Sequence, residues 1–142
     1  MKPTPMKRTA IVLIAHGSRR PEANAELLQL AGKVRDARRG CVVASAFLEL
    51  AEPSIPAAVR DCVAQGAQRV LLFPYFLSSG VHVTRDLEEF RRQFSEEHPD
   101  VEFELAQPLG AHPLIPSLVL DLLPDNEATT GDELPAGTPQ SE

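Results

Sequence analysis

The sequence has 142 residues, of which 43% are hydrophobic, and it carries a formal net charge of −6 at pH 7. A chain of this length is expected to form one folding unit with an apolar core, so disorder of the whole chain is excluded. Residues 1–124 hold 15 acidic and 14 basic side chains, whereas residues 125–142 hold five acidic side chains and no basic one. The acidity therefore belongs to the tail, and a broad basic surface for nucleic acid is excluded.

The cysteines and the lengths of the apolar segments indicate where in the cell the protein is expected. Cys41 and Cys62 form neither a disulfide framework nor a CxxC motif, and their apolar neighbours indicate small core residues. No segment approaches the roughly 20 apolar residues that span a bilayer, so we expect no membrane association. Residues 1–8, a predicted flexible N-terminus, lack the long apolar run of a signal peptide. A cytoplasmic location is the expectation.

The first elements are predicted to be a strand, a helix and a second strand. Thr9–Ala15 is a continuous apolar run, which is typical of a strand covered on both faces in a parallel sheet. Pro21 can open a helix whose apolar residues recur at helical spacing through Arg39, with Gly40 as its end. The β-branched and apolar segment Cys41–Leu48 predicts the second strand.

The middle of the chain continues this alternation. Ser54 is a predicted N-cap of a second helix that ends at Gly66, and Arg69–Tyr75 is the third strand. Residues 76–82 fit neither a strand nor a helix, and an amphipathic helix is predicted over residues 84–94. That helix is expected to close at His98, because the residue before a proline disfavours the helical conformation.

The last third of the chain predicts an edge strand, a short helix and a tail. Val101–Leu105 alternates between polar and apolar residues, which favours a strand with one wetter face at a sheet edge. Residues 113–123 predict a short apolar helix, and residues 124–142 have the composition of an acidic disordered tail. Four strands that alternate with helices predict an α/β fold with right-handed crossovers.

Three side chains that can bind metal follow the strands of this sheet. His16 follows the first strand, Glu49 the second, and His82 ends the loop after the third. Ligands of such sheets bind beyond the carboxyl ends of the strands, so these side chains are expected at one edge. Two imidazoles and a carboxylate suit a first-row divalent ion with open coordination positions, although a lone histidine is also a common structural residue.

Three motifs resemble one known family. The segments Val12–Arg19 (VLIAHGSR), Phe47–Ser54 (FLELAEPS) and Phe73–Asp86 (FPYFLSSGVHVTRD) are similar to the sirohydrochlorin chelatases of the CbiX type. These enzymes insert Co(II) or Fe(II) into a tetrapyrrole without ATP. The resemblance covers residues 9–123, which is the predicted chelatase domain.

The resemblance implies a fold, a ligand set and an assembly. It implies a doubly wound, chelatase-like sheet of four parallel strands with helices on both faces, and His16, Glu49 and His82 as metal ligands. The divalent ion is a substrate, with Co(II), Fe(II) and Ni(II) left open, and no organic cofactor is expected. Short members with a single unit pair as homodimers, so a homodimer is expected here. The product would serve cobalamin or siroheme biosynthesis.

The chemistry of metallation suggests a role for each ligand. Sirohydrochlorin is a flat macrocycle whose inner N–H protons are exchanged for the metal ion. A neutral histidine can bind an ion or accept a proton near neutral pH, so His16 is the expected main ligand and candidate base, with His82 opposite. Whether Glu49 is a ligand or a base stays open. Asp86 is a candidate for a hydrogen bond that fixes the ring of His82, or else a helix-start acid.

The peripheral carboxylates of the macrocycle need cationic and hydrogen-bonding partners. Arg19, Arg20 and Arg85 are the candidate cations, since a guanidinium can bind a carboxylate with two hydrogen bonds; a solvated helix start is the alternative. The candidate hydroxyl and backbone donors are Ser18, Ser78, Ser79, Gly17 and Gly80. For Ser78 and Ser79 a simple turn is the alternative. Gly80 is expected to let its loop bend, and Tyr75 and Phe76 line either the pocket or the core.

Two other functions fit parts of the same pattern. A non-catalytic carrier of divalent metal or tetrapyrrole on the same fold is the alternative to a chelatase. A histidine phosphatase is suggested by the His-Gly pair after the first strand, but that family has an arginine just before the histidine where this chain has Ala15. The phosphatase is therefore excluded.

Overall fold

The structure, a computed structural model, describes residues 7–78 and 80–125. Most of the predicted flexible N-terminus, Ser79 and the predicted acidic tail from residue 126 onward lie outside the described residues. The chain divides into two compact units, one through His112 and one from Pro113 onward.

The first unit contains a parallel sheet of four described strands in the order β2-β1-β3-β4. The strands are β1 (Thr9–Ala15), β2 (Val42–Phe47), β3 (Arg69–Pro74) and β4 (Glu102–Leu105). The central position of β1 explains its continuous apolar sequence, because both of its faces are covered and Val12 and Ile14 are fully buried. The prediction that the alternating last strand lies at an edge is confirmed.

Helices cover both faces of the sheet, as a doubly wound fold requires. They are α1 (Pro21–Ala37), α2 (Ile55–Ala64) and α3 (Val81–Glu97), followed after β4 by a 3₁₀ turn at Leu109–Ala111. Leu27 and Ala31 of α1 pack on one face of the sheet, whereas the buried side chains of α2 and α3 belong to a cluster on the other face. The predicted fold class is confirmed.

Two helix boundaries differ from the sequence prediction. Helix α1 ends at Ala37, two residues before Arg39. Helix α3 begins at Val81, so the prediction that residues 76–82 are irregular is wrong for Val81 and His82. The physical reason is that the extended Gly80 is the N-cap, and its carbonyl accepts a hydrogen bond from the Thr84 N–H at 3.0 Å. His82 therefore lies on the first turn of a helix.

The predicted caps of α2 are confirmed. The Ser54 hydroxyl accepts a hydrogen bond from the Ala57 N–H at 3.2 Å, and Gly66 has the left-handed conformation expected after a helix end. In the second unit the predicted short apolar helix is α4 (Ile115–Leu122). Within residues 7–78 and 80–125, no helix combines the length and apolar character needed to cross a membrane.

Candidate metal and substrate site

The site forms where the pairing of β1 and β2 continues past the ends of the two strands. The Leu48 N–H donates to the Ala15 carbonyl at 3.0 Å, and the Glu49 N–H donates to the His16 carbonyl at 3.1 Å. These bonds bring the two predicted ligand side chains together, with 3.7 Å between His16 Nε2 and Glu49 Oε2. Both side chains are about 60% exposed (62% and 60%), so a ligand can reach them. The predicted convergence of His16 and Glu49 is confirmed.

Gly17 makes this close approach possible. Its φ of +100° lies in the left-handed region, which side chains disfavour. A Cβ atom at this position would also lie 1.8 Å from the Glu49 carbonyl oxygen. Glycine is therefore required between the histidine and the following serine, because any larger residue would push the two strand ends apart.

Neighbouring side chains hold the His16 loop in place. The ring of Phe76 meets the imidazole edge to face, with 6.1 Å between the ring centroids. The Asn24 side chain bonds the backbone of Ser18 twice, since its Oδ1 accepts from the Ser18 N–H at 3.0 Å and its Nδ2 donates to the Ser18 carbonyl at 2.8 Å. Asn24 was not among the predicted site residues; its one signal in the sequence is a side chain of turn-forming type six residues after Ser18, in the first turn of α1.

The 3₁₀ turn that follows β4 holds the loop after β3 through two backbone hydrogen bonds. The Leu109 N–H donates to the Phe76 carbonyl at 3.0 Å, and the Gly110 N–H donates to the Leu77 carbonyl at 2.8 Å. A Cβ atom on Gly110 would lie 2.0 Å from the Leu77 carbonyl oxygen. The 3₁₀ turn therefore fixes the backbone that carries Phe76, the ring that contacts His16.

A cleft of about 420 Å³ separates the His16–Glu49 pair from helix α3. The α3 side chains that line it are Val83, Asp86, Glu89, Phe90 and Gln93. A smaller cavity of about 270 Å³ lies beside His16 toward α1 and is lined by Ser18, Asn24 and Tyr75 among others. His16 thus borders two cavities, of which the larger has carboxylates on both walls.

His82 does not line this cleft. Throughout the described part of the chain, no three His, Cys, Asp or Glu side chains are grouped so that they could hold one ion. The side chains of Asp86 and His82 have no hydrogen bond to each other, so the predicted contact that would fix the ring is not present. The structure brings together two members of the predicted ligand set, and the complete set stays a prediction.

The predicted substrate cations differ in their surroundings. The Nε atom of Arg20 lies 3.7 Å from Oε1 of Glu22, so the charge of Arg20 is already partly balanced. Neither Arg19 nor Arg85 has an ion pair with another described residue. Arg85 lines a shallow groove with Val81, on a different side of α3 from the cleft. Arg19 is therefore the cation nearest in sequence to His16 that has its charge available.

The predicted donors also differ from one another. The Ser18 hydroxyl accepts from the Arg20 N–H at 3.0 Å, and Ser78 is exposed. Ser79 lies outside the described residues. Gly80 has a φ of −69° and open space around its Cβ position, so its conformation at this point does not depend on glycine.

Exposed apolar side chains follow the carboxyl ends of the strands. Leu50 follows Glu49, Tyr75 and Leu77 follow β3, and Val81 opens α3, so all four lie at the carboxyl edge of the sheet. Leu50 also has a positive φ of 66°, a conformation that costs a non-glycine residue about 1 kcal/mol and is more frequent near functional sites. This apolar rim, defined as Leu50, Tyr75, Leu77 and Val81, suits a flat apolar surface.

Comparisons with known proteins agree with the geometry. The protein-family model CbiX matches residues 10–126. A sirohydrochlorin cobaltochelatase of Methanocaldococcus jannaschii is 32% identical over 136 residues, covering 79% of this chain and 95% of that protein. One of Priestia megaterium is 32% identical over 82% of this chain. A chloroplastic sirohydrochlorin ferrochelatase of Arabidopsis thaliana is 36% identical over 78% of this chain. This chain spans only 38% and 49% of these last two proteins.

Solved structures show the same fold. A putative cobalamin biosynthesis CbiX protein from Marinobacter aquaeolei superposes with a TM-score of 0.70 at 30% identity, covering 80% of this chain and 92% of that one. SirB from Bacillus subtilis with Fe3+ gives a TM-score of 0.71 at 27% identity, covering 80% of this chain and 45% of that one. The chain therefore belongs to the CbiX family.

Proposed function

We propose that this protein is a sirohydrochlorin chelatase, a lyase that inserts Co²⁺ or Fe²⁺ into the tetrapyrrole without ATP for cobalamin or siroheme biosynthesis. The observation that carries the proposal is the exposed His16–Glu49 pair, 3.7 Å apart, at the carboxyl edge of a CbiX-type sheet. An imidazole and a carboxylate can bind a first-row ion and still release it, whereas a closed thiolate site would retain it.

The proposed mechanism uses this chain's residues as a metal holder and as proton acceptors. His16 binds the incoming ion, and Glu49 adds negative charge beside it. When the ion enters the ring, the inner N–H protons of the macrocycle must leave, and imidazole and carboxylate groups accept them before they pass to water. The apolar rim contacts the flat ring, while Arg19 and Ser18 bind peripheral carboxylates. Arg85, Ser78, Ser79 and Gly80 stay proposed substrate contacts.

His82 completes the proposed ligand set. It lies on the first turn of α3, directly after the loop that contains Phe76. A shift of that turn toward His16 would add a second imidazole to the His16–Glu49 pair. The names of two relatives specify cobalt and iron chelation, and SirB structures contain Fe3+ and cobalt, which supports these ions as substrates here.

A metallation assay with purified protein tests the proposal. Sirohydrochlorin and Co²⁺ are mixed with wild type, His16→Ala or His82→Ala, and the change in the absorption spectrum is followed. His98→Gln serves as the control, because His98 is the C-cap of α3, at the end of the helix opposite to His82. Loss of a ligand or base should lower the rate by at least about 100-fold. Full activity of His16→Ala would refute the assignment. Stoichiometric binding without turnover would identify a carrier instead.

The proposed assembly is a homodimer in the cytoplasm. One small unit offers only one edge to a large macrocycle, and the chain corresponds to 38% of the longer Priestia megaterium relative but 95% of the Methanocaldococcus jannaschii one. Both cysteines are free thiols, as is usual in a reducing compartment. Light scattering coupled to size exclusion tests the dimer, and an active species that is purely monomeric would contradict it.

A further inference from the structure

Helix α3 supplies a carboxylate to the cleft that the proposed ligand set does not use. Val83, Asp86, Phe90 and Gln93 follow one another at intervals of three or four residues, which places them on one face of the helix. Asp86 lies on this face, across the cleft from His16 and Glu49.

The two α3 carboxylates in the cleft differ in their partners. Glu89 accepts hydrogen bonds from Arg92 and Gln93, and the bond from Arg92 lowers the pKa of its carboxyl. Its charge is therefore balanced at the surface. The carboxylate of Asp86 has no hydrogen bond or ion pair with any other described residue, although several neighbouring acids of α3 have arginine partners. An exposed carboxylate with no cation beside it attracts a dication from solution.

We infer that Asp86 binds the hydrated divalent cation as it enters the cleft and thereby delivers it to His16 and Glu49. The role is one of capture through water, because Asp86, His16 and Glu49 are not grouped closely enough to hold one ion directly. A carboxylate one water layer from a dication, in an open cleft with a solvent-like dielectric, should strengthen its binding about 3- to 10-fold. This inference rests on the proposed function, since it names a further metal-binding residue of the same site.

A pair of charge-matched variants tests the inference. Asp86→Asn removes the carboxylate in the cleft, and Glu88→Gln removes one from the same helix on the side that faces the Arg85 groove. Co²⁺ alone is titrated into each protein by calorimetry at low ionic strength. We expect the Kd to rise about 3- to 10-fold in Asp86→Asn, to stay within about twofold in Glu88→Gln, and to be restored in Asp86→Glu. Added salt should reduce the difference.

Metallation kinetics separate this role from a purely structural one. The apparent KM for Co²⁺ should rise in Asp86→Asn by the same factor as the Kd, with kcat within about twofold of wild type. Equal Co²⁺ affinity of Asp86→Asn and wild type would overturn the inference, as would equal weakening in the Glu88→Gln control. A lower kcat with unchanged affinity would also overturn it, because Asp86 would then position His82. A wild-type protein that binds Co²⁺ but metallates nothing would instead refute the proposed function.

Discussion

Replacement of Gly17 by alanine is the sharpest test of how the fold builds the site. The φ of +100° costs a residue with a side chain about 1–2 kcal/mol. The new Cβ atom would lie 1.8 Å from the Glu49 carbonyl oxygen and needs at least 3.0 Å, so the backbone must move by 1.2 Å or more. That movement breaks the 3.1 Å hydrogen bond between the Glu49 N–H and the His16 carbonyl, which contributes about 1 kcal/mol. The free energy of unfolding should fall by roughly 2–3 kcal/mol.

Urea unfolding followed by circular dichroism measures this loss of stability. A Co²⁺ titration of the folded variant measures the affinity of the site for the ion. Gly40→Ala is the matched control, because its Cβ position is open and its φ is not positive; its stability should stay within about 0.5 kcal/mol of wild type. We expect Gly17→Ala to bind Co²⁺ more weakly as well, since Glu49 is displaced from His16. A variant that loses less than about 1 kcal/mol and binds Co²⁺ like wild type would refute the reasoning.

Three further predictions concern the scaffold. Gly110→Ala should lower both the free energy of unfolding and the rate of metallation. Its Cβ atom would lie 2.0 Å from the Leu77 carbonyl oxygen, so the loop that carries Phe76 must shift; stability and activity equal to wild type contradict this. Gly32→Ala, in open space inside α1, should raise the free energy of unfolding by about 0.5–1 kcal/mol in the same urea assay. Burial raises the pKa of the Cys62 thiol to about 11, so a thiol reagent at pH 8 should modify it only after denaturation; rapid labelling of the native protein at Cys62 would be inconsistent with this.

Elements with a strong periodic pattern were predicted to within a residue or two. The bounds of β1 match the prediction, because a strand buried on both faces consists of apolar residues from end to end. The sequence pattern at the start of α3 is weaker. Val81 and His82 have modest helix propensity, and Gly80 has no side chain that could form the hydrogen bond typical of an N-cap. Local sequence therefore suggested a loop where the backbone of Gly80 caps a helix.

The candidate site was predictable only as far as strand order determines it. His16 and Glu49 were expected to meet because each follows a strand of the same parallel sheet, and β1 and β2 are neighbours. The orientation of His82 was not predictable in this way, because it depends on which residue begins α3 and hence on the direction of each side chain around that helix. Asn24 was missed because a side chain that bonds a turn leaves no periodic signal.

The distribution of charge around His16 reconciles an acidic chain with an anionic substrate. The cleft toward α3 has Glu49 and Asp86 on facing walls, so it attracts a cation and repels the carboxylates of the macrocycle. The cavity toward α1 is lined by Ser18, Asn24 and Tyr75 and by one carboxylate, that of Glu26. Arg19 follows Ser18 and has no ion pair to another described residue, so a cation is available on this side to offset that charge. We therefore expect the metal ion and the peripheral carboxylates to approach His16 from different sides. The ion would then meet the macrocycle at the His16 imidazole. The net charge of −6 would not oppose binding of the anionic substrate, because these local groups lie closer to the ligands than the remaining charges do.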